Sequence, residues 1–185
     1  DGDFIRLDFN AFVKETEQLV DTTSEDVAKE NDVFNERVKY EPMPVIVGAG
    51  QVVKGLEMAL LDAEVGKEVE VDVEPADAFG EKDPKQIEVY PMNKILSLPE
   101  FRKGDKYPNE GMDIRIGNKI GIISRIFAGR VRVDFNHRWA GKTITYKFTI
   151  KDVIEDKEKK FKAVIESNYA NPDEFQVDFK DDETV

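Results

Sequence analysis

Residues 48–80 read GAGQVVKGLEMALLDAEVGKEVEVDVEPADAFG, and the apolar period changes once within that run. Leu56, Ala59 and Leu60 recur at i, i+3, i+4 across Lys54–Asp62, whereas Val69, Val71 and Val73 alternate with acids. The first spacing predicts a short central helix with one buried face, and the second a strand buried on one side. Gly48 and Gly50 punctuate the turn before the helix, and Gly66 supplies the left-handed residue that ends the connection after it. The run contains no histidine, cysteine or serine, so any chemistry in it proceeds without the usual nucleophiles.

The same period-two pattern predicts strands elsewhere. DFIRLDFNAFV alternates from Phe4, and TITYKFTIKDVI has high β propensity. MDIRIGNKIGIISRIFAGRVRVDF reads as three strands turning at Gly117-Asn118 and Ala128-Gly129. Asp21 to Ser24 offer capping oxygens for a short helix over Glu25 to Glu30, before ERVKYEPMPVIV returns to extended chain. Between Phe79 and Gly111, Pro84, Pro91, Pro99 and Pro108 limit the chain to short pieces. After Glu155, DKEKKFKAVIESNYAN is helix-like, PDEF turns, QVDF is barely a strand and KDDETV closes the tail, which cannot hold a core alone.

Composition narrows the function. Of 185 residues, 39 are acidic and 27 basic, and the formal net charge of -12 opposes binding to nucleic acid, which draws on clustered Lys and Arg. No run approaches the ~20 apolar residues of a membrane span. The absence of cysteine removes disulfides, thiolate nucleophiles and Cys-based zinc sites together and fits a reducing, cytoplasmic setting. DGDFIRLDF carries no basic-then-apolar leader, which agrees with that expectation. The single histidine, His137 in DFNHRWAG, lacks the companions of a triad or a metal site and reads as a turn residue whose ring bonds nearby backbone. Neither a metal nor a cofactor is expected.

Four motifs then stand in a telling order: the block GAGQVVKGLEMAL, the Val-Gly strand start at Val65-Gly66, the turn ADAFG, and NHRWAG with KTITYKFTI behind it. Together with the upstream LVDTT they resemble the FKBP-type peptidyl-prolyl cis/trans isomerases, and more narrowly the SlyD-like branch, over about Phe4 to Val153. The resemblance implies an α+β, mainly β fold: a curved antiparallel sheet wrapped on one short central helix, with a small all-β domain inserted after the Phe-Gly turn. Residues 1–86 and 136–154 would form the discontinuous isomerase domain, 87–135 the insert-in-flap domain, and 155–185 a C-terminal extension or the start of a further domain.

By the same resemblance, catalytic positions fall on Phe9, Asp21, Val53, Phe79 and Tyr146, and substrate-binding ones on Val20, Met43, Val52 and Leu56. Taken singly, Val52, Val53 and Leu56 read as plain core; the family pattern makes them pocket. Val20 and Leu56 replace larger aromatics, and Phe9 and Phe79 replace frequent tyrosines, which implies a wider floor and weak binding of macrolide inhibitors. The expected partners are unfolded or proline-containing polypeptides. Rotation about X-Pro breaks no covalent bond, so a pocket that fits the twisted imide and excludes water suffices. KIGIISRIF in the insert is apolar enough to pair with an unfolded chain by strand addition, or else it belongs to a small self-contained domain whose apolar face is buried; the resemblance favours the first. The alternative reading is a non-catalytic holdase or scaffold that keeps the fold.

Overall fold

The computed structural model describes residues 2–102, 104 and 106–167. In chain order the elements are β1 (Phe4–Val13), β2 (Leu19–Thr22), α1 (Glu25–Glu30), β3 (Met43–Ile46), α2 (Lys54–Asp62), β4 (Glu68–Val73), β5 (Ile87–Pro91), α3 (Met92–Leu96), β6 (Asp113–Ile116), β7 (Lys119–Phe127), β8 (Arg130–Asp134), β9 (Ile144–Val153) and α4 (Lys157–Ser167). They form two compact units, one made of the chain up to Ala78 and from Lys142, the other of Phe79–Gly141. PDEF, QVDF and KDDETV lie outside the described residues.

In the first unit a five-stranded antiparallel sheet runs β2-β1-β9-β4, and β3 shares an edge of β1 with β2. β1 is long enough for both: Phe4 to Leu7 pair with β3, and Asn10 to Phe12 with β2. Strict alternation puts Ile5, Leu7, Phe9, Ala11 and Val13 on one buried face, continued by Ile144, Tyr146, Phe148 and Ile150 of β9. α2 covers this face with Leu56 and Leu60 buried; Ala59 is only half-buried. The fit is closest at Gly55, where an added Cβ would stand 2.3 Å from Cγ1 of Val73. Ser24 caps α1, its Oγ accepting from the Val27 N–H. Of ERVKYEPMPVIV only Met43–Ile46 is strand, since β1 offers it just four partners before turns take over on both sides.

The second unit has its own sheet, β5-β8-β7-β6, and its own core of Ile95, Phe101, Ile114, Ile123, Val131 and Val133. α3 occupies the proline-bounded stretch that gave no helical pattern: Pro91 sets φ -61 at its N-cap, and the Met92 N–H reaches the Gly129 carbonyl at 2.8 Å. The turn at Ala128-Gly129 has φ 44 and 70, the doubly left-handed geometry that suits a tight hairpin. KIGIISRIF is β7, an interior strand paired with β6 on one side and β8 on the other. The β6 pairing covers Lys119–Ile122 and closes that part of β7 to strand addition, whereas Ser124 to Phe127 lie beyond it, with the Ile126 N–H donating to Glu110 Oε1 at 2.8 Å; the sheet's edges are β5 and β6.

Candidate active site

The site builds outward from Ala11. Register places Asp21, Ala11, Tyr146 and Val71 in one row across β2, β1, β9 and β4, so their side chains share the inner face. Only a methyl group therefore separates the Asp21 carboxyl from the Tyr146 ring along the row. One step along β1, the Phe9 ring lies 6.1 Å from that of Tyr146, tilted by 45°, within the range of favourable aromatic contact.

Asp21 reaches this face through a β-bulge. Ala11 pairs with Asp21 and Phe12 with Leu19, which leaves Val20 as the extra, half-buried residue. A hydroxyl ladder fixes the strand end: Thr22 Oγ1 donates to Asn10 Oδ1, Thr23 Oγ1 to Asp8 Oδ1, and the Phe9 N–H to Thr23 Oγ1 at 2.9 Å. Asp21 as a residue stays exposed, but its carboxyl is flanked closely enough by protein that desolvation raises its pKa, opposed by the Thr22 N–H bond at 2.8 Å. Burial, and next the Asp21 charge, push the Tyr146 hydroxyl up to about 12, so it stays protonated and able to donate throughout the physiological range.

Val53 is the N-cap of α2, in extended backbone at φ -61, ψ 146, with no side-chain capping bond. The first N–H groups of a helix have no intrahelical acceptor, and an apolar cap supplies none. Glu57, one turn in, is occupied: its Oε1 accepts from the N–H groups of Gly48 (3.1 Å) and Gly50 (2.8 Å). Gln51 Oε1 accepts from the Ile46 N–H at 2.7 Å. These bonds hold the Val52-Val53 turn, and the Gly55–Val73 contact sets the start of α2 on the same face, two residues along β4 from Val71. Met43 lies opposite Leu7 in the β3–β1 pairing. Sequence reading missed Ala11, Glu57 and Gln51; Glu57 had the best signal, the one acid in the block GAGQVVKGLEMAL.

The ninth candidate, Phe79, opens the second unit. Its ring stacks on His137 at 4.6 Å and 8°, and the Trp139 N–H donates to His137 Nδ1 at 3.3 Å. The Gly141 N–H meets the Gly80 carbonyl at 2.8 Å, so ADAFG and NHRWAG, far apart in sequence, are neighbours. His137 is thus a turn histidine, as its sequence suggested, and also the platform for Phe79. Among the described residues, no group of three or more His, Asp or Glu is placed to hold a metal, and no helix is long and apolar enough to cross a membrane.

An antiparallel sheet covered by a short helix carries a tyrosine and a phenylalanine on its inner face beside one desolvated carboxyl, groups suited to binding and orienting rather than to nucleophilic attack. Comparison with known proteins gives that class its family. The model of the FKBP-type peptidyl-prolyl cis-trans isomerases matches residues 1–97, and that of the FKBP26 IF domain matches residues 94–139. The chain is 32% identical over 152 residues to the short-type peptidyl-prolyl cis-trans isomerase of Methanocaldococcus jannaschii, covering 82% of this chain and 92% of that one. It is 29% identical over 134 residues to SlyD of Helicobacter pylori, covering 72% and 70%. A 16 kDa FKBP-type isomerase of Escherichia coli is 29% identical over 108 residues, 58% and 70% of the two chains. The chain belongs to the FKBP-type peptidyl-prolyl cis-trans isomerase family, in its SlyD-like branch, and is an enzyme of that class acting on proline-containing polypeptides.

Proposed function

We propose that Phe9, Asp21, Val53, Phe79 and Tyr146 carry the isomerisation, with Val20, Met43, Val52 and Leu56 shaping the substrate pocket. The observation that supports this most is the row Asp21–Ala11–Tyr146 beside the uncapped start of α2. The proline ring sits against Phe9, Leu56 and Tyr146, which strip water from the imide; bulk water stabilises the planar, conjugated bond most, so its loss favours the twisted one. The Val53 N–H donates to a substrate carbonyl, the Tyr146 hydroxyl to a second acceptor, and Asp21 orients the amide at the pocket edge. No step moves a proton or forms a bond. A 1000-fold acceleration asks about 4 kcal/mol of differential binding, within reach of such contacts.

Phe79→Ala and Asp21→Ala are each expected to lower the acceleration of a proline-limited refolding reaction about tenfold or more while the far-UV spectrum is kept. Unchanged catalysis in both folded variants overturns the assignment. Val20 and Leu56, smaller than the aromatics common at those positions, favour a second reading as a holdase; suppressed aggregation with no acceleration of refolding by the unmodified protein would select it.

The finer reading extends to the whole chain. Residues 87–135 act as an inserted client-binding domain, flanked by an isomerase domain of 1–86 and 136–154, with an extension from 155. The enzyme works in the cytoplasm, and the sparse aromatic lining leaves macrolide inhibitors bound weakly.

A further inference from the structure

One face of the second unit's sheet is its core; the other carries a different set of side chains. Val89, Arg132 and Arg125 form one row across β5, β8 and β7, and Pro91, Arg130 and Phe127 form the next. Val89 is 44% exposed, and Ile120 of β7 is 59% exposed. All three arginines are exposed, and the Arg132 guanidinium lies 5.8 Å from the Phe127 ring centroid. Arg125 and Arg132 face each other as direct cross-strand partners, an arrangement of like charges that costs stability.

Carboxylates do not relieve it. Among the described residues Asp134 pairs with Lys82, Glu88 with Lys119 and Asp113 with Arg138, while Arg125, Arg130 and Arg132 form no ion pair. The sequence accentuates the point. Phe79–Gly141 holds twelve Lys and Arg against eight Asp and Glu, a net +4, so within the chain's total of -12 the remainder is at -16. An apolar, exposed sheet face with unsatisfied cations is complementary to something both apolar and anionic.

We propose that this face selects extended client segments that carry aliphatic or aromatic side chains and Asp or Glu on the same side, two residues apart. The proposal rests on the reading of the insert as the client-binding part of the enzyme and adds its sequence preference. Spacing matters because a strand-like client laid on the sheet presents one side chain in two to it, so both kinds must fall at i and i+2, and bidentate guanidinium–carboxylate pairs then fix its position. A polypeptide fits better than a nucleic acid, because the strongly acidic remainder repels a continuous polyanion.

The test uses the full chain and two fluorescently labelled, unstructured, proline-free peptides with the same apolar residues, one with Glu and the other with Lys two residues from each of them. Anisotropy titrations are expected to show the Glu peptide bound at least tenfold more tightly at low salt, with the preference shrinking as salt rises. In Arg125→Glu/Arg132→Glu the preference disappears or inverts, whereas Arg125→Lys/Arg132→Lys keeps the sign, and both variants isomerise a short proline peptide as the unmodified protein does. Equal affinity for the two peptides, or a preference that survives charge reversal, overturns the proposal. A single-stranded oligonucleotide bound more tightly than the Glu peptide overturns it in favour of a nucleic-acid surface. If neither peptide binds and a denatured protein client is not held either, the client-binding reading falls with it; if the denatured client is held, only the charge preference falls.

Discussion

Asp21 is a carboxyl placed where the fold would be more stable without its charge. Desolvation raises its pKa above the ordinary aspartate value, so the native state binds its proton more tightly than the unfolded chain does. The stabilisation tied to the protonated form is complete below the unfolded-state pKa and is lost as pH rises through the raised native one. At neutral pH the ionised carboxyl is therefore a net cost, and a neutral isostere removes it. Asp21→Asn, which keeps an oxygen for the Thr22 N–H, is expected to melt above the unmodified protein at pH 7, with the gap closing as pH falls through the native pKa. Lower stability of the variant at pH 7 would mark Asp21 as a structural anchor instead. Alternation in DFIRLDFNAFV made the buried side of Phe9 legible, and the family resemblance pointed to Tyr146 and Asp21. The aim of Asp21 was not, because a β-bulge inserts one residue without disturbing composition or period enough to be read.

Among the elements, α2 shows how a local preference yields to packing. Gly55 lies inside a helix, where alanine would be favoured by about 1 kcal/mol. The backbone nonetheless approaches β4 so closely that a Cβ would lie 2.3 Å from Cγ1 and 2.9 Å from Cγ2 of Val73, which is itself buried and β-branched. Gly55→Ala is expected to destabilise by roughly 1–3 kcal/mol, the usual cost of overpacking, read as a lower urea midpoint with unchanged slope. Gly55→Ala/Val73→Ala should recover part of it by freeing the space; a double variant weaker than the sum of its parts would show that the contact is not the cause. α2, β1, β4 and β9 were legible because each pairs one apolar face with one polar face. α3 was not: its five residues between prolines complete barely more than one turn, too little for a period to register, and its position comes from the Met92–Gly129 backbone bond and the burial of Ile95.

At the scale of the molecule, the sequence averages conceal a division. A net charge of -12 describes neither the acidic first unit nor the basic second, and whole-chain composition therefore argued against polyanions without revealing an arginine face. What the chain does reveal is where it folds back on itself within the second unit. The Phe135 N–H donates to the Gln86 carbonyl at 2.9 Å, Asn136 Nδ2 donates to the Asp83 carbonyl at 3.0 Å while its Oδ1 accepts from the Asp83 N–H, and the Gly141 N–H meets Gly80. The outgoing and returning segments run side by side down to the Phe-Gly turn, so removing Ile87 to Phe135 leaves Gln86 and Asn136 as nearby ends, with Asn136 still hydrogen-bonded to Asp83. A two- or three-residue Gly-Ser connection spans such a gap without strain, since extended chain covers about 3.3–3.6 Å per residue. If residues 87–135 hold clients while the pocket isomerises them, this excision should leave catalysis on a short proline peptide within about twofold and slow proline-limited refolding of a protein substrate by tenfold or more. A short peptide relies on the pocket alone, whereas a folding chain gains from being held close to it, a gain of effective concentration that does not require new contacts at the proline. Equal loss on both substrates, from a variant that still unfolds cooperatively, would mean that the second unit supports the pocket rather than the client.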